Sequence, residues 1–494
     1  MVRKARASGA TGDTALVGDA SGAVPTGAPA RRPIATSVQL REVMDAGLRL
    51  DASAFSIPAR EAMASLRASG MSLAPLFGPG GAATEAQSVT AFRERVYVEP
   101  GHGVPFLTSS DIISMRPEVR RHLSRRTRGL DTLTIKKWDV LVSCSGTIGN
   151  VGFAGETLAG HALSQDAIRV RATGPEESGF LAAFLLGRYG RLQLLQATYG
   201  SVIVHIEPAH LERVLVPAVH PIKRVAIGRA FVDACNARDE ANRLIDEADR
   251  LLHHHLALPY LPARERGGVR PISVRASALD DRLEAAYHNP TAGEAEVRLH
   301  ETSMPLLPLG ASEVAREVRA VTRFRERVYV RHGGIPLLNS KQLFQLDPID
   351  VKGLAKGAHL ADLPEIQLRH EMVLVTCSGT IGRVQIVPQY MADWTASQDA
   401  HRVLASDDMN PGFLYAWLGS DYGTELVRRH TYGSVVVHID REQLAAVPVP
   451  MPPAAVRNEV GDLVLRANAL RHEAWRLERT AIADLERLIQ RSGG

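Results

Sequence analysis

Hydrophobic positions along this chain follow two rhythms, and the pair of rhythms occurs twice. Short runs rich in valine and isoleucine, such as "RERVYV" from Arg93, "DVLVSC" from Asp139 and "SVIVHI" from Ser201, are bounded by glycine, proline and aspartate and predict strands. After "VPAVHP", which ends at Pro221, the spacing changes. Phe231, Ala234, Arg238, Ala241, Ile245, Ala248 and Leu252 step by three and four residues. After "VPMPP", ending at Pro453, Val460, Leu463, Ala467, Leu470, Ala474, Leu477 and Ala481 do the same. These are heptad seams with charged outer faces, the first interrupted by Arg238. A helix of roughly 35 residues extends about 50 Å. Neither helix can bury its stripe alone, so each is expected to pack on the other, with the two compact β-containing regions held apart by the pair.

The duplication extends well beyond these rhythms. "TAFRERVYVEPGHGVPFL" from Thr90 returns as "TRFRERVYVRHGGIPLL" from Thr322, and "LVSCSGTIGNVGF" from Leu141 as "LVTCSGTIGRVQI" from Leu374. "LSQDAIRV" from Leu163 returns as "ASQDAHRV", and "TYGSVIVHI" from Thr198 as "TYGSVVVHI". Cys144 and Cys377 stand 233 positions apart, as do Asp166 and Asp399, and His205 and His438. A repeat of this length is a duplicated domain, not a solenoid of short units. The fold class is α+β. The expected boundaries are a disordered tail over 1–37, a first module over 38–220 with its helix over 221–258, a linker over 259–271, a second module over 272–453 and its helix over 454–491. Between the Arg-Glu-Arg and Cys-Ser-Gly segments the copies differ, so one frame carries two unlike inserts.

Composition adds modest constraints. The 494 residues are 45% hydrophobic and 23% charged, as in ordinary globular chains. A net charge of +4 and a pI near 9.0 permit an anionic partner without requiring one. Three cysteines without metal spacing point to a reducing compartment, and no apolar run is long enough to span a bilayer. A cytoplasmic location is therefore expected. The first insert concentrates positive charge: from Arg116 onward, Arg116, Arg120, Arg121, Arg125, Arg126, Arg128, Lys136 and Lys137 face only Glu118 and Asp131. Such a cluster suits DNA phosphates, and it equally suits a solvated basic helix. The second insert offers only Lys352, Lys356, His359 and Arg369, so its case rests mainly on symmetry, with Lys352 and Lys356 as the candidate contacts. In "TYGS", Tyr199, Gly200 and Ser201, like Tyr432, Gly433 and Ser434, fit either a phosphate contact or a structural turn.

Catalytic chemistry finds little support. Cys144, Asp166 and His205 match Cys377, Asp399 and His438, the residue types of a thiolate enzyme, yet no nucleophile elbow surrounds them. The "CSGTIG" stretch instead predicts a hairpin turn whose cysteine fills space. "DPIDVK" from Asp347 hints at a nuclease Asp-x-Lys but has no counterpart in the first copy. The run His253–His255 has no matching metal ligands. No phosphate loop, dinucleotide fingerprint or adenine-methyltransferase motif is present, so no catalytic residue, cofactor or metal is expected.

The ordered set "RLDASAF", "GVPFL", "LVSCSGTIG", "LSQDAIRV", "TYGSVIVHI" and "LVP" before a long helix, and again "RLEAAY", "GIPLL", "LVTCSGTIG", "ASQDAHRV", "TYGSVVVHI" and "VPVPMPP", resembles the DNA specificity subunit of type I restriction-modification systems. That resemblance implies two target-recognition domains, each reading one half of a split site on double-stranded DNA, and two helices that form an antiparallel coiled coil and set the gap. It further implies docking of two methyltransferase subunits and of a nuclease-translocase, with methylation and ATP hydrolysis belonging to those partners. The other readings are a reader for another methylation-based defence system, a Cys-dependent enzyme with two sites, and a scaffold that has lost DNA binding.

Overall fold

Val140–Ser143 of "DVLVSC" and Tyr97–Val98 of "RERVYV" form strands, and the heptad runs form two long helices; "SVIVHI" is described only from Val204 and there makes an isolated bridge at His205 instead of a strand. The computed structural model describes residues 36–45, 48–88, 95–145, 147–198, 204–262, 273–279, 282–321, 326–433 and 436–491. The expected tail over 1–37 lies almost wholly outside the described residues, and so does most of the linker. Met1–Arg49 is a unit of its own, in which Leu40–Asp45 is a short helix, α1. Everything below concerns the second unit, Leu50–Gly494.

This unit begins with α2 (Ile57–Ala68), β1 (Leu73–Pro75), β2 (Glu85–Gln87), β3 (Tyr97–Val98), β4 (Gly103–Leu107) and β5 (Arg121–Ser124). It continues through α3 (Leu130–Leu133), β6 (Val140–Ser143), β7 (Val151–Phe153), β8 (Ala162–Leu163) and β9 (Ala167–Arg171). Then come α4 (Pro175–Leu186), α5 (Arg188–Gln196), α6 (Pro208–Leu211), β10 (Leu215–Pro217) and the long α7 (Pro221–His255). The second pass has α8 (Pro290–Glu301), β11 (Leu306–Pro308), β12 (Ala315–Arg319), β13 (Tyr329–Val330), β14 (Ile335–Leu338) and β15 (Lys352–Leu354). There follow α9 (Leu363–Ile366), β16 (Val373–Thr376), β17 (Val384–Ile386), β18 (Thr395–Ala396) and β19 (Ala400–Ala405). It closes with α10 (Pro411–Gly419), α11 (Asp421–Arg429), α12 (Arg441–Ala445), β20 (Pro448–Pro450) and α13 (Ala454–Arg491).

Both passes build three sheets with the same strand order. β2-β9-β6-β7 matches β12-β19-β16-β17, β3-β5-β4-β8 matches β13-β15-β14-β18, and β1-β10 matches β11-β20. β6 and β16 are buried along their whole length, which is why they read as unbroken apolar runs. Behind them lie α4 and α10, apolar nearly all round.

Each of those helices meets a long helix at a glycine pair. A Cβ on Gly179 would lie 2.4 Å from the Gly228 carbonyl oxygen, and one on Gly412 would lie 2.2 Å from that of Gly461. Backbone meets backbone there, so no side-chain adjustment makes room. Gly412→Ala is therefore expected to destabilise the chain by about 2 kcal/mol or more through overpacking. Thermal unfolding of the single variant checks this, and a change within about 0.5 kcal/mol, the size of an ordinary surface substitution, would contradict it.

The long helices run in opposite directions: Arg238 meets Glu478, Asn242 meets Arg471, and His255 meets Glu459. Phe231, Ala234, Ala241, Ile245, Ala248 and Leu252 are buried on α7, and Arg238 is buried among them. On α13 the seam departs from the expected one. Val460, Ala467, Ala474 and Ala481 are buried, whereas Leu463, Leu470 and Leu477 are only half-buried. Val464, Arg471, Glu478 and Leu485 take the intervening places. The reason is electrostatic: Glu478 faces Arg238 across the seam, so two charged residues occupy positions that an apolar count assigns to their leucine neighbours.

Hydrophobic packing makes the arrangement reciprocal. The first module's core includes Ala481, Ile482, Leu485 and Ile489 from the end of α13. The second module's core includes Ala241, Leu244, Ala248 and Leu252 from the end of α7. The modules also touch directly. Met115 N–H donates to the Phe344 carbonyl at 2.9 Å and Leu346 N–H to that of Ile113 at 2.8 Å, around an antiparallel bridge between Ser114 and Gln345. Each segment sits just before its module's "Arg-Pro" or "Asp-Pro", so equivalent positions pair with each other, as a twofold relation requires.

Candidate nucleic-acid interface

In each module the duplicated motifs converge on the junction between the two four-stranded sheets. Cys144 N–H donates to the Asp166 carbonyl at 2.8 Å, and Cys377 N–H to that of Asp399 at 2.9 Å. The thiols donate to the Gln165 and Gln398 carbonyls. Those glutamines accept, through their side chains, from Arg95 and Arg327 of the Arg-Glu-Arg motif, the latter at 2.7 Å. Ser145 bridges to His205 and Ser378 to His438, the histidines that follow the two "TYGS" segments in the chain. The motifs are a frame because each holds the next.

"CSGTIG" is the hairpin connection between β6 and β7, and again between β16 and β17. Ser143 Oγ donates to the Thr147 carbonyl at 2.5 Å and accepts from Asn150 N–H at 3.0 Å. Thr376 Oγ1 makes the same two bonds with Thr380 and Arg383. Gly149 and Gly382 close the turn at φ +83° and +80°, a conformation that side chains resist.

All three cysteines are buried free thiols. Burial pushes the Cys144 and Cys377 thiols up to about 12, and the Asp166 and Asp399 carboxylates push in the same direction. Cys235, whose thiol points at the Phe153 carbonyl, is likewise raised to about 12 by burial. A thiol held protonated is no nucleophile at neutral pH. At pH 8 the folded chain is expected to react with iodoacetamide about a thousandfold more slowly than the urea-unfolded chain. Mass spectrometry of the alkylated protein reads this out, and rapid native labelling of Cys144 or Cys377 would restore the thiolate reading.

The arginines of "SQDAIRV" and "SQDAHRV" are structural too. Arg402 is fully buried, and its guanidinium donates to the Ser397, Ala400 and Ala396 carbonyls at 3.1, 2.5 and 2.6 Å. Burial lowers it to about 10, so it stays charged at neutral pH. Arg169 occupies the same place in the first module and donates to the Thr134 carbonyl.

The basic insert of the first module divides by position. Arg120, Arg121, Arg125, Arg126, Arg128 and Lys136 are exposed or half-exposed, on β5 or the loops around it. Arg120 lies 3.0 Å from Glu118, and Lys137 is half-buried with its ammonium 2.7 Å from Glu156. Arg116 instead reaches Asp246 on α7 at 2.5 Å, tying the insert to the helix pair. In the second insert Lys352 and Lys356 are both exposed. Tyr432 and Gly433 are exposed on a short hairpin closed by Tyr432 and His438; Tyr199, Gly200, Ser201 and Ser434 lie outside the described residues.

These cations have an aromatic partner that the charge pattern alone does not disclose. Tyr97 and Tyr329, on β3 and β13, are 37% and 41% exposed. Arg121 lies over the Tyr97 ring at 4.9 Å, and Lys352 over the Tyr329 ring at 5.0 Å. Burial raises the Tyr97 phenol, but hydrogen bonds and charge from Arg121 and Arg95 outweigh it and hold it below its ordinary value. The same device thus occurs in both modules with a different cation. The duplicated "RVYV", a strand whose first valine and tyrosine face solvent, was the available signal.

The remaining candidates take structural places. Asp347 of "DPIDVK" accepts from Arg479 at 2.5 Å, and Asp350 lies 3.1 Å from Arg191 of the other module. His253 stacks on Tyr260 at 4.0 Å and His255 meets Glu459 at 3.0 Å, so the histidine run fastens the end of α7. Among the described residues no cluster has the ligands to hold a metal ion, and no helix is long and apolar enough to cross a membrane.

No family model matches this chain, and no curated protein matches it. Solved structures do match over most of its length, among them the following three. A type I restriction-modification S subunit from M. genitalium covers 85% of this chain and 98% of its own, at 11% identity and a TM-score of 0.32. A structure described as the basis of complex assembly and conformational transition of the type I restriction-modification system covers 78% and 89%, at 16% identity and a TM-score of 0.27. The HsdS subunit from Thermoanaerobacter tengcongensis covers 84% and 99%, at 14% identity and a TM-score of 0.26.

Proposed function

We propose that this chain is a non-catalytic, sequence-specific reader of double-stranded DNA, the specificity subunit of a type I restriction-modification complex. One observation carries the proposal: a three-sheet module occurs twice with the same strand order, and the copies differ in the insert that bears the exposed cations. Duplicated frames with unlike basic inserts suit two half-sites of different sequence. Arginines or lysines beside an exposed tyrosine suit phosphate contact and, through arginine, guanine edges in the major groove.

On this proposal the modules over 38–220 and 272–453 are target-recognition domains, and α7 and α13 form a coiled coil that fixes their separation. The outer face of that coiled coil has a shallow groove bordered by Lys223, Ile227, Arg476, Leu477, Asp484 and Leu488, which suits docking of a methyltransferase subunit. Two such subunits and a nuclease-translocase would supply the chemistry, and the cytoplasm would be its place of action.

The test is an exchange of inserts within the assembled complex. Residues 111–137 would be replaced by the corresponding segment of a relative with another specificity, and methylated adenines mapped by sequencing host DNA. One half of the modified site is expected to change while the other half stays. A change in both halves would refute the two-reader proposal.

A further inference from the structure

The near-twofold relation between the modules breaks down beside the helix pair, where a buried guanidinium is left without a carboxylate. The 233-residue offset equates Arg238 with Arg471, Ile245 with Glu478, Asn242 with Trp475 and Thr157 with Tyr390. On one side of the helix pair Arg238 is bound by both oxygens of Glu478, and Tyr390 stacks on Trp475 at 5.0 Å. On the other side Arg471 has Ile245 where a carboxylate would stand, with the small Asn242 and Thr157 in place of the two rings. Arg471 is only 5% exposed. Its Nη2 reaches Asn242 Oδ1 at 3.4 Å, while its Nη1 finds no acceptor among the described residues.

A cavity of about 410 Å³ between the modules has Arg471 in its lining, with Ile245, Arg116, Arg383, Gln385 and Arg428 among others. Arg116 and Arg428 have carboxylate neighbours in Asp246 and Glu425. Arg383 lies 3.8 Å over the Phe344 ring and has no ion pair among the described residues. Glu118 and Asp249 also line the cavity. Arg383 and Arg428 replace Asn150 and Leu195 of the first module, so the excess of positive charge belongs to this side alone. A guanidinium removed from water is stable only with an anion or a full set of acceptors.

We propose that the cavity takes a small phosphate-bearing molecule, whose oxygens accept from Arg471 and Arg383 as Glu478 accepts from Arg238. The site does not depend on the DNA-reading proposal, and its volume suits a ligand between inorganic phosphate and a nucleoside monophosphate. The test is thermal unfolding of the full chain titrated with inorganic phosphate and, separately, with adenosine monophosphate, each against chloride of equal ionic strength. A saturable rise in midpoint of about 1–2 °C at ten times the half-saturating concentration is expected with at least one probe. The response should vanish in Arg471→Met and in Ile245→Glu, which supplies a carboxylate from the chain itself. Should Arg471→Met fail to fold, Ile245→Glu decides. Absence of any saturable rise in the wild type, or an equal rise in either folded variant, would overturn the site.

Discussion

Glu478→Ala is expected to destabilise this chain by about 3–5 kcal/mol, the loss typical when one partner of a buried ion pair is removed. Arg238 and Glu478 are 9% and 6% exposed, and the carboxylate accepts from both terminal nitrogens of the guanidinium. Without Glu478, Arg238 would hold its charge where water reaches it poorly. The large effect comes from the orphaned cation and not from the strength of the pair. Hence Arg238→Met with Glu478→Leu should recover most of the loss, because the seam around them is already apolar. Chemical denaturation of wild type, single and double variants forms the cycle that separates these contributions. A single-variant loss below about 1 kcal/mol, in the range of surface pairs, would mean that the two charges are hydrated in solution. The loss should also reach both modules together, since α13 contributes to both hydrophobic cores.

That pair marks the boundary of what the sequence discloses. Strands such as Val140–Ser143 are legible because residues buried on both faces read as an unbroken apolar run. The seven seam positions of α7 are legible because six are apolar and Arg238 simply continues the spacing. On α13 the seam is displaced by one residue at every second step, because Arg471 and Glu478 sit where an apolar count prefers Leu470 and Leu477. Such a choice is decided by a partner more than two hundred positions away, which no local pattern reports. The glycine pairs follow the same logic: Gly228 and Gly461 look like weak points in a helix until the backbone of Gly179 or Gly412 is laid against them. Charge in the first insert is legible as a sum but not in its assignment. Arg116 goes to Asp246, Arg120 to Glu118 and Arg121 to Tyr97, leaving Arg125 and Arg126 exposed to solvent.

Those fates set the second large expectation. On the proposed DNA-reading function, changing Arg120, Arg121, Arg125 and Arg126 together to glutamine is expected to weaken binding to a cognate duplex by about a hundredfold or more near physiological salt. Each phosphate that these arginines no longer neutralise should also flatten the dependence of log K on log salt by about 0.9, so the slope should fall by as much as about 3 to 4. Arg116→Gln supplies the contrast. Its guanidinium is spent on Asp246, so the slope should hold even if the insert loosens from α7. In the second insert Lys352, Lys356 and Arg369 are exposed, and the joint change of the two lysines to glutamine should lower the slope by no more than about 2. The two modules would then grip the duplex unequally, the first mainly through charge and the second mainly through shape and base contact. Titrations at several salt concentrations, with the complex held constant, measure all three slopes. An unchanged slope in the fourfold variant would remove the first insert from the DNA footprint, and equal losses in both modules would remove the asymmetry.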